Sequence, residues 1–96
     1  MTYLDDLADA IQREVDPDLV PSGDTRSLFR LYAVLALAKG TEVSAEDVHN
    51  AWAAWISESN PDHRAVKPFH ELARDVQDSD QPFVDAIRRV ASEMAP

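Results

Sequence analysis

The chain predicts an all-α fold, a compact bundle of four helices plus one short helical turn. Three observations carry that prediction. Apolar residues recur at steps of three and four in separate stretches. Capping residues, prolines and glycines bracket each stretch. No segment alternates apolar and polar residues with the period of two that a half-buried strand requires.

The first helix is expected over Tyr3 to Val15. Leu4, Leu7, Ile11 and Val15 form one stripe, Thr2 caps the start, and Asp5 and Asp6 sit in the first turn, where the helix dipole favours anions. Asp16-Pro17 ends it, because the residue before proline avoids helical backbone angles. Asp16 to Gly23, with two prolines and a glycine, reads as a loop. A second helix is expected from Asp24, as its cap, through Lys39. Its apolar residues, Leu28, Phe29, Leu31, Tyr32, Val34, Leu35 and Leu37 with interleaved alanines, wrap most of the circumference, as in a helix packed on several sides. Gly40 is the expected terminator.

Ser44 and Asp47 form a capping box for a third helix reaching about Ser57, although glutamate is the commoner partner. Val48, Ala51, Trp52 and Trp55 lie on one face. Asn60-Pro61-Asp62 is a turn, Pro68 to Leu72 one short helical turn, and Arg74 to Ser79 reads as polar and irregular. Asp80 or Ser79 caps the last helix, which runs through Met94 with the stripe Phe83, Ile87, Val90 and Met94 and tolerates Pro82 in its first turn.

Composition narrows the function. With 96 residues the chain supports one modest core, so residues 1–96 are expected to form a single domain. There is no cysteine, which excludes disulfides, thiolate catalysis and cysteine-based zinc sites. The first fifteen residues are acidic and lack the pattern of a secretory signal. The longest apolar run, Leu28 to Ala38, is interrupted by Arg30 and falls well short of the ~20 residues a membrane span needs. A cytoplasmic location is therefore expected, with no membrane partner. The net charge of −9 is spread along the chain and repels a polyanion, so nucleic acid is not an expected partner either. Charge alone also fits an acidic mimic of DNA, but it fits many ordinary acidic proteins as well.

Several side chains stand out. His49 lies one turn before Trp52, at the edge of the apolar face. It either hydrogen-bonds a ligand or, the plainer reading, pairs with a loop carbonyl or carboxylate. Trp52 and Trp55 each offer a ring for stacking, yet each buries on the order of 200 Å², which so small a core can hardly forgo. Trp52 reads as core; Trp55 is the more open case. His63, Arg64, Lys67 and His70 make the one locally basic stretch, beside Pro68 and Phe69, and suit an anionic or aromatic ligand unless they are merely solvated. The spacings of fourteen and seven between His49, His63 and His70 match no helical metal-ligand pair, so no metal site is expected. No phosphate loop, no nucleophile elbow and no paired acid/base motif is present, so catalysis and cofactors are not expected. Arg30 must reach water or pair with Asp5, Asp9 or Glu46. Leu19, Val20, Phe29 and Leu37 are candidates for a homodimer face, and monomer and dimer both stay open.

Two segments carry a resemblance. Ala45-Glu46-Asp47-Val48-His49-Asn50-Ala51-Trp52-Ala53 resembles the opening helix of the ryanodine-receptor-type (RyR) repeat, roughly A-E-N-x-H-x-x-W-A. His63 to Leu72 resembles that repeat's later segment, roughly H-P-x-L-x-P-Y-x-x-L, with Asp80 where the repeat opens its last helix. Arg64 replaces a proline, Phe69 a tyrosine, and the Gly-Trp segment between the motifs is missing. The likeness covers residues 45 to 91 and leaves 1 to 43, the N-terminal helical pair, outside it. The chain as a whole is similar to small proteins of actinobacteria and their phages. The resemblance implies a non-catalytic module that recognises a small, nucleotide-like or anionic ligand or a protein partner. Small size, acidity, absent catalytic motifs and the likeness to actinophage proteins give the alternative: a small phage or accessory protein that binds and modulates a host protein, in the host cytoplasm. The expected recognition face combines His49, Trp52, Trp55, His63, Arg64, Lys67 and Phe69.

Overall fold

A computed structural model describes residues 2–94. Among them are α1 (Tyr3–Arg13), α2 (Arg26–Lys39), α3 (Ala45–Ser57), the single-turn α4 (Arg74–Asp78) and α5 (Gln81–Met94), with 3-10 turns at Pro17–Leu19, Gly40–Glu42 and Phe69–Glu71. The described residues hold no strand, as the missing period-two pattern predicts. No helix is long and apolar enough to cross a membrane.

The local signals act largely as read. Thr2 and Ser44 each complete a capping box, with Asp5 and Asp47 returning the bond. The shorter aspartate closes both. Thr2 holds the Asp5 carboxyl below its ordinary range, through its backbone amide first and its hydroxyl second. Partial burial alone would raise the Asp47 carboxyl. The Ser44 amide, the Lys39 ammonium 3.2 Å away and the Ser44 hydroxyl together pull it lower. Gly40 ends α2 at φ +58 and ψ −131, a backbone state open essentially to glycine alone.

Four local expectations need correction. α1 stops at Arg13, two residues early, because Glu14 and Val15 donate to Ile11 and Gln12 and tighten the last turn to 3-10 geometry; Val15 still reaches the core. Thr25, not Asp24, stands at the cap of α2 and makes no side-chain cap bond, while the Asp24 carboxylate accepts the Arg26 amide from one residue further out. Arg74 to Asp78 is helical, closed by an exposed Arg74–Asp78 ion pair at 3.5 Å. Asp80 opens α5 through its backbone carbonyl alone, which accepts the Phe83 and Val84 amides, and its side chain takes no part in the cap.

The core is one cluster. α2 packs against α1, α3 and α5, so Leu28, Phe29, Tyr32, Ala33 and Ala36 meet Ile11, Val48, Val84 and Ile87. Each large side chain sealed there stabilises the fold by about 1.5–3 kcal/mol. The prediction of a central α2 therefore holds, but not all around. Val34 and Leu37 are each 47% exposed and face water. Phe29, 1% exposed, belongs to the core and is removed from the candidate dimer face. Val20 packs against the core, and Leu19 and Leu37 stay exposed. Arg30 pairs with Asp5 at 3.5 Å, the first of its three candidate partners. Arg88 of α5 donates from Nε to the Val43 carbonyl at 2.8 Å and ties α5 to the α2–α3 connection.

Candidate functional site

The capping box sets the register of α3. Counting from Ser44, Val48 and His49 turn inward and Trp52 follows one turn later, against the segment 58–73 that leads to α4. That segment has little regular structure, so its backbone groups need partners from elsewhere. His49 supplies one: its Nε2 donates to the Lys67 carbonyl at 2.7 Å. Gln77 of α4 supplies two, donating from Nε2 to the Phe69 and Leu72 carbonyls at 3.1 and 3.2 Å. The plainer reading of His49, a helix histidine donating to a loop carbonyl, is what the geometry holds.

The rings then fall into place. Trp52 stacks on His49 at 5.8 Å with 29° between planes, and meets His63 edge-on at 5.1 Å. Phe69 lies against His49 at 6.1 Å, tilted by 53°. His63 accepts the Ala65 amide at Nδ1, which places its ring proton on Nε2. His49, Trp52, His63 and Phe69 are therefore brought together, and the tryptophan helix and the Pro68-Phe69 segment do fold against each other.

Between them and α5 lies a cleft of about 330 Å³. Tyr32 and Phe83 lie beneath it, His49, Trp52 and His63 form one side, and Asp80 faces them; Leu19, Pro21, Ala65 and Val76 add apolar lining. The size is at the low end of the roughly 300–1,000 Å³ typical of small-molecule sites. The Asp80 carboxylate makes no hydrogen bond and no ion pair with any described residue; the residue bonds only through its backbone. Burial pushes its carboxyl up to about 6, with the charge of His49 opposing the rise. Burial, and then the Asp80 charge, push the Tyr32 phenol far above its usual range.

The other expected residues lie elsewhere. Trp55, three positions after Trp52 and so about 60° around the helix, borders a separate groove with Leu4, Leu31 and Val34. Arg64 and Lys67 do not line the cleft; they border a smaller depression with Leu72 and Ala73 that shares Ala65 and Val76 with it. The reason is physical. The Lys67 carbonyl is turned inward to His49, while its ammonium stays in water, because burying an unpaired charge is costly. His70 is exposed and sits beside Glu71, away from the other two histidines. Among the described residues no three of histidine, aspartate or glutamate converge as a metal site.

Sequence reasoning missed Tyr32 as a lining residue and Asp80 as a cleft carboxylate. Tyr32 read as one more apolar position on the central helix, and Asp80 as a helix cap. The one usable signal was that Ser79 and Asp80 both suit a cap and only one can serve as it.

The described residues thus form an all-helical bundle carrying a ring-lined cleft with one carboxylate. The chain matches the family described as a domain of unknown function (DUF7701) over residues 2–92, and it belongs to that family. No curated protein and no solved structure is significantly similar to it. The match corrects the RyR resemblance: no RyR-type family is found, and the family that does match takes in α1 and α2, which the resemblance left out. The shared motif residues have general structural duties here. Ala45 to Asp47 open a capped helix, Trp52 covers core, and Phe69 begins a 3-10 turn.

Proposed function

We propose that the chain is a binding module, not an enzyme, and that it takes a small ligand, or a side chain of a protein partner, into the cleft between α3 and the start of α5. The observation that carries this reading is the lining itself: rings from α2, α3, α5 and the 58–73 segment converge around one half-buried carboxylate. Binding is favoured over catalysis because the polar groups are committed structurally. The Ser79 hydroxyl donates to the Val76 carbonyl, so no base holds its proton. His49 and His63 each spend one ring nitrogen on backbone. An anionic ligand would meet a carboxylate in the cleft and no arginine or lysine. Two features support a cytoplasmic setting: the lack of cysteine and of any described helix fit to span a membrane.

A thermal-shift screen against a broad metabolite library tests the reading. A ligand at a hundredfold excess over its Kd adds about 2.7 kcal/mol, which raises the Tm of a chain this size by about 10 °C or more. The shift should vanish in Val76→Trp, which fills the mouth of the cleft from a position already 39% exposed. A silent library, or a shift that survives that substitution, refutes it.

A second reading, an accessory protein that modulates a host protein, is favoured by the exposed Val34 and Leu37 beside the Trp55 groove. Paired Val34→Glu and Leu37→Glu substitutions should then release a stoichiometric partner. A partner retained by the double variant counts against that surface.

A further inference from the structure

The charge of the cleft is lopsided. Asp80 is its one acidic side chain, and no arginine or lysine lines it. The described acids that do find cations find them elsewhere: Asp5 with Arg30, Asp47 with Lys39, Asp78 with Arg74, Glu14 with Arg89. Asp80 is left half-buried without an ion-pair partner, although a desolvated carboxylate is costly unless it is paired. Neither nearby histidine forms an ion pair with it: His49 acts on Asp80 only through space and gives its Nε2–H to the Lys67 carbonyl, and His63 Nδ1 accepts an amide, which a doubly protonated ring cannot do.

The walls point the same way. Trp52, Tyr32 and Phe83 present aromatic surface, whose electron-rich faces attract cations, most strongly where water is excluded. The net charge of −9 adds a long-range field that draws cations toward the molecule and repels anions.

We infer that the ligand of this cleft is a small organic cation, an ammonium or amidinium carried on an apolar body, with its nitrogen paired to Asp80 and its body against Trp52, Tyr32 and Phe83. The inference rests on the binding-module reading and adds the chemical class of the ligand. A bound cation supplies the charge partner that Asp80 lacks, and the volume of about 330 Å³ admits a single ring with its charged group.

A charge-matched panel decides it. Benzylammonium, benzamidinium, benzyl alcohol and benzoate are titrated separately into the unsubstituted chain, with backbone amide NMR shifts as the readout. Both cations should perturb the amides around His49, Trp52, Ala65 and Asp80. They should bind at least about tenfold more tightly than benzyl alcohol, as expected for a charged hydrogen bond, and benzoate should bind weakest. Asp80→Asn should erase the tenfold preference while leaving benzyl alcohol unchanged. Equal binding of alcohol and cation, stronger binding of benzoate, or a preference that survives Asp80→Asn overturns the cationic assignment and leaves the cleft as a binding site. Silence of both cations overturns it too, and the library screen then decides whether the cleft binds anything. Should Asp80→Asn fail to fold, the order of the four compounds on the unsubstituted chain still decides.

Discussion

Replacing Asp80 by Asn should make this protein more stable at neutral pH and leave it unchanged in acid. Burial raises the Asp80 carboxyl from 3.8 to about 6. At 1.36 kcal/mol per pH unit, that rise corresponds to about 3 kcal/mol against the ionised, folded form. Asp80 keeps part of its surface in water, which screens the penalty to about half, roughly 1–1.5 kcal/mol. The sign follows from proton binding. The folded chain holds this proton more tightly than the unfolded chain, so the penalty is full above about pH 6 and gone below about pH 4. The Asp80 side chain takes no part in the α5 cap, so the substitution loses no capping bond. The groups that face Asp80, namely His49 from α3, His63 from the 58–73 segment and Tyr32 from α2, are the same in both proteins. Urea denaturation at pH 7.5, 6, 5 and 4 measures the difference. The variant should lead by about 1–1.5 kcal/mol at pH 7.5, equivalent to roughly 4–12 °C in Tm, and the gap should close toward pH 4. A variant no more stable at pH 7.5, or a gap that ignores pH, would refute the desolvation argument.

Three further outcomes follow from the same geometry. Gly40→Ala should cost about 1–3 kcal/mol in chemical denaturation purely through backbone conformation, since no atom lies within 4 Å of an added Cβ. Ser44→Ala should cost about 1 kcal/mol by opening the capping box, and the ionised Asp47 should contribute less as pH falls through its lowered pKa; circular dichroism melts at pH 7 and pH 3 check both. Gln77→Ala should leave the Leu72 carbonyl without its protein donor, while the Phe69 carbonyl keeps the Leu72 amide, at a cost of about 1–3 kcal/mol, seen as faster amide exchange around Phe69 to Leu72 with α1 and α2 unaffected.

A carboxylate placed to cap α5 lines a cleft among rings instead, and it forms no ion pair with a described side chain. That arrangement raises its pKa and so should weaken the fold at neutral pH, and the proposed binding of a cation rests on it.

Much of the architecture was legible in the chain because the signals for it are local. Three-and-four spacing, the Thr2 cap, the Ser44–Asp47 capping box, Gly40 after Lys39 and Asp16-Pro17 act through neighbouring backbone groups, and α1, α2, α3 and α5 appear close to where those signals put them. The single turn of α4 was not legible, because much of what holds it is the side chain of Gln77 reaching carbonyls five and eight residues back. The cleft was legible only in part. His49, Trp52, His63 and Phe69 sit close enough in sequence for their meeting to be foreseen. The separation of Trp55, Arg64 and Lys67 from them, and the arrival of Tyr32 and Asp80 opposite them, depend on how α2 and α5 cross α3, and spacing along one helix carries no information about which other helix it will face.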